Sequence, residues 1–245
     1  MAKSLKKEIL RKLFHLLEIP VLFGYSFARY FWSEKIAIMV LTALFLLLME
    51  IEYVRLAVKI KLPSFLDVLR PRERNNVTGA IFFVAATIIV FAAFDYGVAL
   101  LALFLTVFGD LASALIGIKF GKHEIFRHKT MEGFIAGLIT NLLVGWMIIP
   151  MYPAVFITMA IVASVVELLT GKLDDNLTVP LFAGFTGQVI AYSIGATLTG
   201  FPGPLEPIFR LLYGLLFFNK PLGLSLKILG SRLRRLLPLG NGTKT

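Results

Sequence analysis

"YGVALLALFLTVFGDLASALIGIKFGKHEIFRHKTMEGF" (Tyr96–Phe134) decides how this chain is built. Its first thirteen residues, Tyr96 to Phe108, are as apolar as a lipid-facing helix. Asp110 then follows Gly109 at membrane depth, where an ionisable side chain is costly and marks function. A Gly–Lys turn comes next, then a basic loop, then Lys129, Glu132 and Gly133.

The apolar pattern recurs on both sides of this stretch. A helix needs ~20 apolar residues to cross ~30 Å of hydrocarbon. Seven runs are read as spans: Leu16–Phe31, Ile36–Ile51, Val77–Phe94, Tyr96–Ile118, Phe134–Pro150, Tyr152–Leu169 and Leu177–Leu198. Of the 245 residues, 58% are hydrophobic and only 16% charged, and mean hydropathy is +0.83. A soluble domain of this size cannot hide so much apolar surface. Backbone groups in lipid must be satisfied within the chain, and the alternation of a β-barrel is absent, so the spans are helices. The expectation is an all-α integral membrane protein with about seven transmembrane helices, in one domain over residues 1–245. Residues 1–15 are basic with apolar residues at helical spacing, and are read as an amphipathic interfacial helix. No small-residue cleavage site follows them, which argues against a removable signal peptide. Residues 205–245 form a basic tail, either an eighth crossing or a helix lying on the surface.

The net charge of +10 serves orientation and anionic headgroups rather than nucleic acid. With the N-terminus inside, Lys and Arg crowd the N-terminal segment and the loops after spans two, four and six, whereas the outer loops hold only Arg29 and Lys35. These are the cytoplasmic loops, in the cell membrane of a prokaryote or the endoplasmic reticulum of a eukaryote. The chain has no cysteine, which excludes disulfides and thiolate metal sites.

The ionisable residues inside or beside spans are Glu18, Glu50, Glu52, Asp110, Glu132 and Glu167. Glu50 and Glu52 are as well explained by solvation at the interface, and Glu18 by Arg11 or His15 on its own helix. Asp110 differs: Thr106, Asp110, Ser113, Ala114 and Gly117 share one helix face, and its small residues admit another helix or a ligand. Gly117 and Gly121 then permit close backbone approach, among Lys119, Lys122, Arg127 and Lys129. A carboxylate beside glycines and lysines suits a nucleotide–Mg²⁺ complex, since Mg²⁺ favours one or two carboxylates plus phosphate oxygens. Glu132 and Lys129 stand at the start of span five, where a helix N-terminus favours anions. Gly133, Gly137, Asn141 and Gly145 recur every four residues, a helix-packing stripe. In "ELLTGKLDDNLTVPL" (Glu167–Leu181), Asp174, Asp175 and Asn176 either cap a turn or hold Mg²⁺ and activate a hydroxyl. Arg70, Arg72 and Arg74 suit phosphate contact and topogenic charge equally. "GIKFGKH" is not a P-loop, because only three residues separate its glycines and no Ser or Thr follows the lysine.

These residues resemble the signature of CTP-using membrane enzymes: the phosphatidate cytidylyltransferases and the CTP-dependent lipid kinases (dolichol kinase, phytol kinase and yeast-type diacylglycerol kinase). Shared are Asp110 after a glycine, Phe120–Lys122, and Lys129, Thr130, Glu132 and Gly133. The "DDNLTVP" segment, "RKLFHL" (Arg11–Leu16) and "RERNNVTGA" (Arg72–Ala80) look like the kinase branch. The C-terminal His-Gly-Gly and Asp-Arg-x-Asp segment of the cytidylyltransferases is absent from the sequence. The resemblance implies transfer of the γ-phosphoryl group of CTP to the hydroxyl of a membrane lipid alcohol, of dolichol type, with Mg²⁺. Under it, Asp110, Glu132 and Asp175 are metal-site candidates, and Asp174 or Asp175 receives the hydroxyl proton. Lys122, Lys129, Gly117, Gly121, Asn176, Arg74, Arg11 and His15 are the phosphate-side candidates, with Glu132 also placed to orient Lys129. A CDP-lipid-forming enzyme and diacylglycerol as acceptor are the neighbouring alternatives. A lipid transporter is the alternative of another class, and it predicts acids at the membrane midplane.

Overall fold

The computed structural model describes residues 15–58, 73, 76–127, 129–171 and 173–200. These belong to the first of two units into which the chain divides, Met1–Gly203. Arg11, Arg74, most of the expected amphipathic segment and the basic tail lie outside the described residues.

Seven helices are present among the described residues: α1 Glu18–Phe31, α2 Glu34–Val58, α3 Gly79–Ala93, α4 Tyr96–Phe120, α5 Met131–Ile148, α6 Pro153–Leu169 and α7 Asp175–Ser193. Each overlaps one of the apolar runs. Three are long and apolar enough to cross a membrane: Glu34–Ala57, Tyr96–Phe120 and Met131–Ile148. Gly79–Ala93 and Pro153–Leu169 are shorter apolar helices, and the 14 residues of α1 reach only about 21 Å. A small antiparallel hairpin, β1 Glu124–Phe126 and β2 Lys129–Thr130, replaces the plain loop expected between α4 and α5.

Contacts between helix ends sort the bundle: Arg55 donates to the Asn76 carbonyl, Gly79 faces Asn176, and Lys129 donates to the Glu167 carbonyl. One end of the bundle gathers the starts of α1, α3, α5 and α7 with the ends of α2, α4 and α6. α4 is the central helix. Its residues from Tyr96 to Leu103 are all buried, and burial on its inner face runs on to Asp110. α2 is peripheral, with Met39, Leu46 and Leu47 exposed. α5, α6 and α7 likewise turn Ile139, Trp146, Ile161 and Phe185 outward. That much exposed apolar surface belongs against lipid rather than water.

The α4–α5 contact carries the small-residue stripe. Space for a side chain at Gly133 is taken by the Ser113 carbonyl oxygen and the Gly117 Cα, and at Gly137 by the Ser113 Cβ and the Gly109 carbonyl. Asn141 is 1% exposed and donates to Ser164 Oγ at 3.0 Å. Its amide lies over Gly109. The packing expected from the four-residue spacing is thus present, and backbones lie close enough for dispersion between helices to hold them.

The opposite end of the bundle is closed by other bonds. Tyr96 donates to Ser26 Oγ at 2.7 Å, and Arg29 lies 4.3 Å over the Tyr96 ring. Asp95 accepts from Leu198 N at 2.9 Å, while its own N–H donates to Gln188.

Candidate active site at one end of the bundle

The gathered end holds most of the buried ionisable groups. Asp110 is 9% exposed, two turns of α4 below the packed glycine Gly117. One turn above Asp110, Ser113 Oγ donates to the Glu167 carboxylate and lies 3.2 Å from the Asp110 carbonyl. Glu167, on the last turn of α6, is buried. Lys129 reaches across from β2: its ammonium donates to the Glu167 carbonyl and stands 4.0 Å from the Glu167 carboxylate. A helix C-terminus with a nearby carboxylate is a favourable seat for a cation.

Glu18 is buried and joins this end from α1. His15 Nδ1 lies 2.9 Å from its Oε1, so the local partner expected from the sequence is present. Its Oε2 is buried with no hydrogen-bond partner, and the charges of Asp110 and Asp175 lie within electrostatic range of it.

Asp174 caps α7, accepting from Asn176 N at 3.1 Å. Asn176 is 2% exposed, and its buried Nδ2 has no hydrogen-bond partner. The missing side chain of Gly79 makes its space: a Cβ there would fall 2.6 Å from Nδ2, with Glu73 Oε1 and Asp174 Oδ1 close by. Pro180 offers no N–H to the carbonyl of Asn176 one turn back. The start of α3 is fixed from α2. Arg55 is bidentate to Glu52 at 2.8 and 2.6 Å and donates to the carbonyls of Glu73 and Asn76. Glu52 also accepts from Thr78 N. Glu52 is therefore buried and paired, while Glu50 is exposed.

Two candidates are placed differently from expectation. Glu132 Oε1 lies 2.7 Å from His123 Nδ1, and its Oε2 accepts from Lys122 N and His123 N. The hairpin folds back over the first turn of α5, so Glu132 ties the loop and does not orient Lys129. Among the described residues no three His, Asp or Glu converge as ligands of one ion. Asp110, Glu132 and Asp175 are thus not brought together as a three-ligand set. The Lys122 side chain is exposed. Gly117 and Gly121 pack under Thr130, which caps α5 through Gly133 N at 3.2 Å. Glu167 and Glu73 were not picked out as site residues, because their partners are distant in sequence.

A cation at Asp110 would therefore have only one or two side-chain ligands, with water or phosphate oxygens completing its shell. Mg²⁺ keeps several waters and takes only one or two carboxylates when phosphate supplies the rest, so three converging side chains are not required. The Lys129 side chain is one third exposed, and its ammonium retains donors for an anion.

No family model matches the chain, and no solved structure matches it. An uncharacterized protein of Methanocaldococcus jannaschii is 31% identical over 123 residues, which cover 46% of this chain and 60% of the relative.

Proposed function

We propose that this protein is a CTP-dependent lipid kinase of the polyprenol type, with seven spans and its N-terminus in the cytoplasm. It transfers the γ-phosphoryl group of CTP to the hydroxyl of a membrane lipid alcohol at the cytoplasmic face. One observation carries the reading. Asp110 and Lys129, from the motif shared by the CTP-using enzymes, and the Asp174–Asn176 segment, from the kinase-like one, lie at the same end of the bundle, where Asp110, Glu167 and Asp174 are buried. The acids stand at that end and not at the midplane, which favours an enzyme over a transporter.

Phosphoryl transfer is a matter of positioning and charge neutralisation. Lys129 meets the phosphates, held in place from α6. Asp110, with Asp175, would hold the cation. When bound, Mg²⁺ neutralises charge on the phosphate oxygens. The lipid hydroxyl oxygen bonds to the γ-phosphorus, the bond from that phosphorus to the bridging oxygen breaks, and CDP leaves. The hydroxyl proton passes to Asp174 or Asp175. Asn176, buried with a donor to spare, orients this segment. The lipid tail lies among the apolar helices while CTP arrives from water.

The test uses the full chain in detergent micelles with Mg²⁺ and CTP labelled on either the α- or the γ-phosphate. Polyprenol, geranylgeraniol and diacylglycerol are offered separately. Transfer of γ-label to one extracted lipid supports the kinase and identifies its acceptor. Transfer of α-label with release of pyrophosphate moves the protein to the CDP-lipid-forming enzymes.

A further inference from the structure

The Lys129 ammonium is not placed by its own segment. It is seated on α6, 38 residues away, by the carbonyl and carboxylate of Glu167. The carboxylate is in turn fixed from α4 by the Ser113 hydroxyl. Two helices, α4 and α6, and the hairpin therefore share one ion-pair seat. We propose that Glu167 is the positioning residue for Lys129, and that the nucleotide phosphates are bound only while this seat, locked by Ser113, holds the ammonium in place. The inference rests on the kinase reading above and goes beyond it: Glu167 touches neither nucleotide nor lipid.

The physical argument is one of geometry and donor count. An ammonium has three protons. One is spent on the Glu167 carbonyl, and the nearby carboxylate holds the group by charge, which leaves donors for phosphate. Lys129 is one third exposed, whereas Glu167 is buried, so the lysine is open to a ligand on the side away from its seat. A lysine stem is flexible and strongly hydrated. Released from Glu167, it would spread over many rotamers, and misplacement by ~1 Å can cost up to 10²-fold. The hairpin would stay attached, because Arg127 packs over Gly171 and Glu132 ties its other strand to His123. The loss would thus fall on the orientation of Lys129 and not on the fold of the hairpin.

The experiment is a double-mutant cycle on the full chain in detergent, read by CTP-dependent thermal stabilisation. Glu167→Gln keeps an acceptor for Ser113 but removes the charge. It is expected to weaken CTP binding about tenfold or more, with kcat at saturating CTP changed less than KM. In a Lys129→Ala background the same change is expected to have no further effect, since coupled residues are not additive. Ser113→Ala is expected to weaken binding in the same direction by a smaller factor, and serves if Glu167→Gln does not fold. Equal or tighter binding by Glu167→Gln overturns the inference, as does a penalty that persists without Lys129, which marks a merely structural role. A wild-type protein that CTP does not stabilise overturns the kinase reading itself, and this inference with it.

Discussion

Gly133→Ala tests the packing that places the candidate site. A Cβ at Gly133 would lie 2.7 Å from the Ser113 carbonyl oxygen and 3.2 Å from the Gly117 Cα. Ordinary contacts are about 3.5–4.0 Å between carbon atoms, so α4 and α5 must part by roughly 0.5–1 Å. Both obstacles are helix backbone, which cannot rotate away as a side chain does. A gap of that size forfeits about a quarter to a half of each dispersion contact along the seam, and overpacking costs about 1–3 kcal/mol. Alanine returns about 1 kcal/mol of helix propensity. Because both obstacles are backbone, the upper part of the overpacking range, about 2–3 kcal/mol, applies, and the expected balance after the propensity gain is a loss of about 1–2 kcal/mol. Gly24 in α1 is the control, because nothing lies within 4 Å of a Cβ there; Gly24→Ala is expected to leave stability unchanged or raise it by up to about 1 kcal/mol. The assay is an unfolding titration in mixed micelles followed by tryptophan fluorescence. If Gly133→Ala proved as stable as the wild type, or if the two substitutions lost stability equally, the close α4–α5 seam would be refuted.

Other expected outcomes follow from single contacts. Arg55→Ala leaves buried Glu52 without its bidentate partner and frees the carbonyls of Glu73 and Asn76. It is expected to cost about 3–5 kcal/mol in the same titration, while replacing Glu52 and Arg55 together by apolar residues of similar size costs far less. Thr130→Ala removes the cap on α5 and is expected to cost about 1 kcal/mol, with faster amide exchange at Gly133 as the local sign. Asp110→Asn is expected to weaken Mn²⁺ binding, measured without nucleotide by the loss of free-ion resonance; unchanged binding would remove Asp110 from the proposed cation site.

Much of the fold was legible because hydrophobic run length is a strong signal. The run Tyr96–Ile118 corresponds to α4, Tyr96–Phe120, and the run at Tyr152–Leu169 to α6, Pro153–Leu169. The Gly133–Gly145 stripe was legible as packing because a spacing of four places residues on one helix face. The hairpin was not legible. Its strands are only three and two residues long, too short to show alternation, and its turn uses Arg127 at φ 47° where glycine would have signalled it. Asp110 and the Asp174–Asn176 segment stood out because charge in or beside an apolar run is conspicuous. Lys129 stood out too, but its partner did not. Glu132, three residues away, was the local choice, whereas the tertiary fold brings Glu167 instead.

The most direct test of the central claim is transfer of label from γ-labelled CTP to polyprenol by the wild type and Asp110→Asn, side by side, per amount of folded protein. Asparagine keeps the size of Asp110 and removes its charge. The account predicts transfer by the wild type, and a fall of at least about 10²-fold in the variant, on the scale of losing one electrostatic contact to developing charge, with its unfolding midpoint little changed. An Asp110→Asn protein that transferred label at the wild-type rate would contradict it.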